Sequence, residues 1–168
     1  MSQKNAEPWL RGPLEGVPPL VIPVFFTFVQ VREELPEHIS DLSAEQLWRT
    51  VSGTASIGFH MKHMAGSIDR LTTYVSGSQL NEQQMQFLRE EHEGNMDAGT
   101  LLAMVGESLR ASENILRQID PATMYEPRSV GRKAMPTTVI GLLVHLSEHT
   151  QRHLGQTITT AKMLRDTS

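Results

Sequence analysis

A chain of 168 residues is long enough for one domain with a buried core, and 39% hydrophobic with 20% charged residues is ordinary for a soluble globular protein. A net charge of −4 with no basic cluster gives a nucleic acid no electrostatic footing, and no run approaches the roughly 18–20 uncharged apolar residues of a membrane span. The lack of any cysteine removes disulfides, thiolate metal sites and cysteine nucleophiles together, so a metal could rest only on His, Asp, Glu or water.

The first dozen residues, through Gly12, are polar and read as a loose arm; residues 1–16 are set apart from a domain at 17–168. The longest apolar segment, residues 17–31, is broken by Pro18, Pro19 and Pro23 and lacks the flanks of a signal peptide, so a cytoplasmic location is the expectation. Over residues 22–38 the apolar positions Val24, Phe25, Phe28, Val29, Val31 and Leu35 recur at threes and fours, which predicts an amphipathic helix. Residues 40–48 read as a connection with one short turn, Ser43 capping ahead of Gln46.

A second helix is expected over residues 56–76, with Ile57, Met61, Met64, Ile68, Leu71 and Val75 as its buried stripe and Gly77 as its stop. Asn81 or Ser78 opens a short helix toward His92. Residues 97–119 form the third long helix, with Leu101, Leu102, Val105, Leu109, Ile115 and Leu116 facing inward and Asp120-Pro121 ending it. Residues 124–135 have no helical period and read as a loop, with extended pieces. Pro136 suits the first turn of a last helix over residues 137–165, whose stripe is Val139, Leu142, Leu143, Leu146, Leu154, Ile158, Ala161 and Leu164. Four long amphipathic segments and no strand alternation predict an all-α four-helix bundle.

Seven histidines are many for this length, and their spacing matters more than their number. The last helix carries His145-x-x-x-His149-x-x-x-His153. A four-residue step returns to nearly the same helix face, so two of these imidazoles can reach one ion. The second helix carries His60-x-x-His63, also on one face, with His63 close to the core stripe. One histidine from that helix and two from the last make a three-nitrogen set with open coordination positions. The donor type suits Zn, Ni, Fe or Cu better than Mg or Ca.

Two stretches carry a family resemblance. Ser56-Ile57-Gly58-Phe59-His60-Met61-Lys62-His63, with Asp69-Arg70-Leu71 beyond it, and Leu143-Val144-His145-Leu146-Ser147-Glu148-His149-Thr150-Gln151-Arg152-His153-Leu154-Gly155-Gln156 resemble the DinB-like superfamily of metalloproteins. The family's second-helix histidine, two turns past a Ser-Ile pair, matches His63, and its closing HxxxHxGQ pattern matches His149, His153, Gly155 and Gln156. The resemblance implies an up-down-down-up bundle, one divalent ion (zinc or nickel, with iron open) on His63, His149 and His153, and a homodimer. A one-turn shift of the alignment would exchange His63 for His60.

His60, His145 and Gln156 are then candidates for supporting or pocket roles. Arg128 and Arg132, in the segment before the last helix, could hold a carboxylate of a substrate or thiol at the open end of the bundle. Relatives of this family include bacillithiol S-transferases and the mycothiol-dependent maleylpyruvate isomerase. By analogy, the expected activity is a metal-dependent transfer of a low-molecular-weight thiol to a small electrophile. A hydrolase using water activated by the metal and a non-enzymatic metal-binding stress protein are the alternatives.

Overall fold

The computed structural model describes residues 6–166. The first five residues of the expected arm and the last two of the expected domain lie outside the described residues. Four long helices form the bundle: α1 (Ile22–Ile39), α3 (Ile57–Val75), α5 (Ala98–Leu116) and α6 (Val139–Asp166). Two short ones, α2 (Ala44–Trp48) and α4 (Glu82–Arg89), lie in connections. A two-stranded hairpin of β1 (Pro127–Val130) and β2 (Met135–Thr138) joins α5 to α6.

Helix boundaries follow local chemistry. Ser43 and Gln46 close a reciprocal capping box on α2, and Asn81 and Gln84 do the same on α4. Ser56 and Asp97 accept the Phe59 and Thr100 backbone N–H groups at the starts of α3 and α5. At the end of α3, Gly77 takes φ +77°. Its N–H reaches Tyr74 O and that of Ser78 reaches Thr73 O, the paired bonds of a Schellman stop.

The order of contacts fixes the topology. Thr27 meets Ser147 and His38 O meets Arg165, so α1 and α6 run in the same direction. His60 meets His153 and His63 meets His149, so α3 opposes α6. Arg32 pairs with Glu113 and Arg117 stacks on Phe25, so α5 opposes α1. The bundle is therefore up-down-down-up, with consecutive helices α3 and α5 parallel. A parallel pair needs a return connection, and residues 76–97, with α4, run back along the outside of α3. Gln84 bonds Asp69 and Thr73, Glu91 bonds Arg70 and His63, and Trp48 Nε1 closes onto Met96 O.

The core draws on all four long helices. Phe25, Phe28, Met61, Met64, Ile68, Leu101, Leu109 and Leu146 are among its fully buried members. The whole predicted stripe of the second helix is buried. In the third, Leu102 is half-buried and Ile115 is 44% exposed, because the α5 stripe turns with the 3.6 period and leaves that position on the outer face.

Pro136 is not in the first turn of α6; it pairs with Ser129 in the hairpin. Thr138 caps the helix instead, its hydroxyl accepting the Gly141 N–H. The next donors, Val139 N and Ile140 N, go to Glu126 O and Met124 O. The extended pieces expected within residues 124–135 are present, ordered as a hairpin rather than lying in a loop, and turned by Gly131 at φ +70° and Ala134 at φ +48°. Within the arm, residues 8–11 are held to α1, since Arg11 meets both carboxylate oxygens of Glu33 at 2.5 and 2.8 Å. Among the described residues no helix is long and apolar enough to cross a membrane.

Candidate metal centre

The histidines meet because α3 and α6 are antiparallel neighbours in register, with residues 60 and 63 level with 153 and 149. His63, His149 and His153 each present one ring nitrogen, and the three nitrogens lie within 4.8 Å of one another. His63 Nε2 is 2.9 Å from His149 Nε2, and the His153 ring lies 4.5 Å from the His63 ring and 4.6 Å from that of His149. Of the two histidines on α3, His63 joins this group.

His60 stands one turn behind. It is buried, and its Nδ1 lies 3.1 Å from Nδ1 of His153. A proton on His153 Nδ1 in this bond leaves Nε2 as the free lone pair. The His63 tautomer follows more firmly. Its Nδ1 lies 2.6 Å from Glu91 Oε2, and a carboxylate only accepts, so Nδ1 carries the hydrogen and Nε2 carries the lone pair. Phe59 packs its ring against His63 and, on its other side, against His92, which restrains the imidazole further.

The site is tuned toward neutral imidazoles. Burial, reinforced by nearby His63, pushes His153 down to about 3 and His60 and His149 down to about 4. At neutral pH these rings hold lone pairs rather than charge, which is the form a metal takes. The buried Nδ1 of His149 has no hydrogen-bond partner among the described residues, an orphan that argues against a purely internal hydrogen-bond network. Three imidazoles from two helices, with their other nitrogens partly anchored from behind, fit a borderline divalent ion.

A cleft of about 630 Å³ opens beside the triad. Phe59, His60 and His153 line its inner side; Thr54, Arg152 and Gln156 line its rim. Gln156 is exposed there. His145 is half exposed on the outer side of α6, bonded through Nδ1 to Glu148, which also pairs with Arg152 at 2.5 Å. His145, Glu148 and His149 also bring ligand atoms within 4.8 Å of one another, but the first two face solvent.

Arg128 does not reach the open end of the bundle near the histidines. Its Nε donates to Val75 O and its Nη1 to Pro127 O and Glu126, so it ties the hairpin to the far end of α3. Twelve residues of helix, about 18 Å, separate Val75 from His63. Arg132 is exposed in the hairpin turn at that same end. Glu91, held by Arg70 behind His63, is the contact that sequence spacing missed. Glu91 lies in a polar connection with no period to mark it.

A bundle whose antiparallel α3 and α6 bring three histidines together beside a cleft defines the class: a helical protein that could hold a divalent ion. The chain belongs to the DinB superfamily, whose family model matches residues 27–157 and so takes in every histidine of the triad. No curated protein matches the chain.

Proposed function

We propose that this protein is a metal-dependent transferase that joins a low-molecular-weight thiol to a small electrophile, with His63, His149 and His153 as the ligands of one zinc or nickel ion. The observation that carries the reading is a three-histidine group one of whose members, His153, lines a cleft large enough for a small molecule. His63, His149 and His153 would hold the ion, whose positive charge would favour the thiolate form of a small thiol, the form that attacks an electrophile. The new bond is S–C, and the leaving group departs from the electrophile with the bonding pair.

The chain's own part is positional. Phe59 and His60 wall the inner cleft and limit water, Gln156 and Thr54 offer neutral polar contacts at the mouth, and His60 holds His153 from behind. The thiol is external, so a chain without cysteine is compatible with the reaction. A homodimer is part of the proposal. Leu20 and Val144, 50% and 60% exposed, flank an apolar groove of about 470 Å³ between the start of α1 and α6, a face that a second copy would cover.

The test is elemental mass spectrometry on untagged protein, beside His63→Ala and His153→Ala. The expectation is about one equivalent of zinc or nickel in the wild type, lost from both variants, followed by turnover of electrophiles only when thiol is added. A wild type that takes up no metal after reconstitution would sink the enzyme reading. Turnover without thiol would move it to hydrolysis.

A further inference from the structure

We propose that Glu91 is the positioning residue of this centre: one carboxylate oxygen fixes His63 as the Nδ1–H tautomer and thereby aims its Nε2 lone pair at His149 and His153. The proposal rests on reading the triad as a metal site. A carboxylate 2% exposed is costly unless every oxygen is satisfied, and here the two oxygens have different partners. Oε1 takes Arg70 Nη1 at 2.8 Å; Oε2 takes His63 Nδ1 at 2.6 Å.

The surroundings are shaped to admit this group. Gly66 leaves the space: a Cβ there would lie 2.6 Å from both Glu91 Oε1 and the Arg70 guanidinium. One turn earlier Lys62, itself buried, donates to Glu90 O and Glu93 O and so pins the backbone on both sides of Glu91. Lys62, Gly66 and Arg70 recur at four-residue steps, so one face of α3 receives the return connection while His63 points round toward α6. An ion pair that merely docked the connection would need Arg70 alone. The second oxygen on an imidazole of the triad is what assigns Glu91 to the centre.

Glu91→Gln separates the two roles. The amide keeps one acceptor oxygen, which the charged, donor-only Arg70 guanidinium holds, so the amide NH2 faces His63 Nδ1 and the imidazole loses its acceptor. Zinc or cobalt(II) affinity, measured by competition with a chromophoric chelator, is expected to fall about 10- to 100-fold, with a changed cobalt d–d spectrum. Lys62→Met loosens the same connection but keeps the carboxylate on the imidazole, and its affinity is expected to stay near wild type. Equal losses in the two variants, or none in Glu91→Gln, would overturn the proposal.

Long-range ¹H–¹⁵N spectra of the metal-free wild type supply an arm that needs no variant to fold. A His63 ring protonated at Nδ1 is expected, and one protonated at Nε2 overturns the proposal. A wild type that binds neither metal while showing the Nδ1–H tautomer would instead reject the metal reading on which the proposal depends.

Discussion

At the scale of residues, the centre is a set of imidazoles kept from protonating. His60, His149 and His153 have folded-state values of about 4, 4 and 3 because burial penalises the cation. In the unfolded chain each would protonate near 6.5. A basic group whose pKa is depressed by folding binds more protons when unfolded, so lowering the pH pulls the equilibrium toward the unfolded state. The stability tied to these rings is fully present above about 6.5 and is lost as pH falls through 6.5 toward 4. With chelator present, urea unfolding at pH 5 is expected to show the metal-free protein weaker than at pH 7, by about 5 kcal/mol if all three shifts count in full and by less because His149 is partly exposed. An unchanged midpoint would mean that the rings are solvated rather than buried. Protons also compete with metal for the same lone pairs, so affinity should fall over the same range.

At the scale of elements, α3 supplies both His63 of the triad and the face that backs it, and its start is fixed by one hydroxyl. Ser56, itself buried, accepts the Phe59 N–H at 3.1 Å, one turn before His60. Ser56→Ala should lower stability by about 1 kcal/mol in chemical unfolding, and a loss well below that would show that packing of Trp48 on Gly58 holds the helix start without the cap.

The long helices could be read from the sequence because apolar spacing and capping residues agree. Ile57, Met61, Met64, Ile68, Leu71 and Val75 lie on one face, with Ser56 before them and Gly77 after. The hairpin could not, because two four-residue strands have no room for a period and Pro136 suits a helix start as well as an edge strand. Glu91 escaped for a related reason: among Glu90, His92 and Glu93 it looks like one more solvated acid. Its burial comes from where the return connection runs.

At the scale of the whole molecule, the bundle leaves an apolar strip where α1 begins. Pro19, Leu20 and Pro23 face Ile140, Leu143 and Val144 across a groove, and a stable interface needs roughly 800 Å² from each copy. Sedimentation at micromolar concentration is expected to give a two-chain species for the wild type and a single chain for Val144→Glu. A wild type that sediments as one chain would remove the homodimer from the proposal while leaving the metal centre intact. The groove runs along α6 as far as Gln151 on the side that meets α1, whereas the cleft lies where α6 meets the start of α3. Pairing through the strip would thus leave the cleft beside His153 open.

The triad also joins parts of the chain that synthesis keeps far apart. His63 and His149 are separated by 86 of the chain's 168 positions, so the triad does not exist until half the chain has closed into one loop. Closing so long a loop is the slow, entropically opposed part of folding. An ion that needs the finished loop therefore has little to hold during the approach and much to hold afterwards. In kinetic terms a bound ion would act as a latch: it would leave the rate of arrival at the native state nearly untouched and slow departure from it.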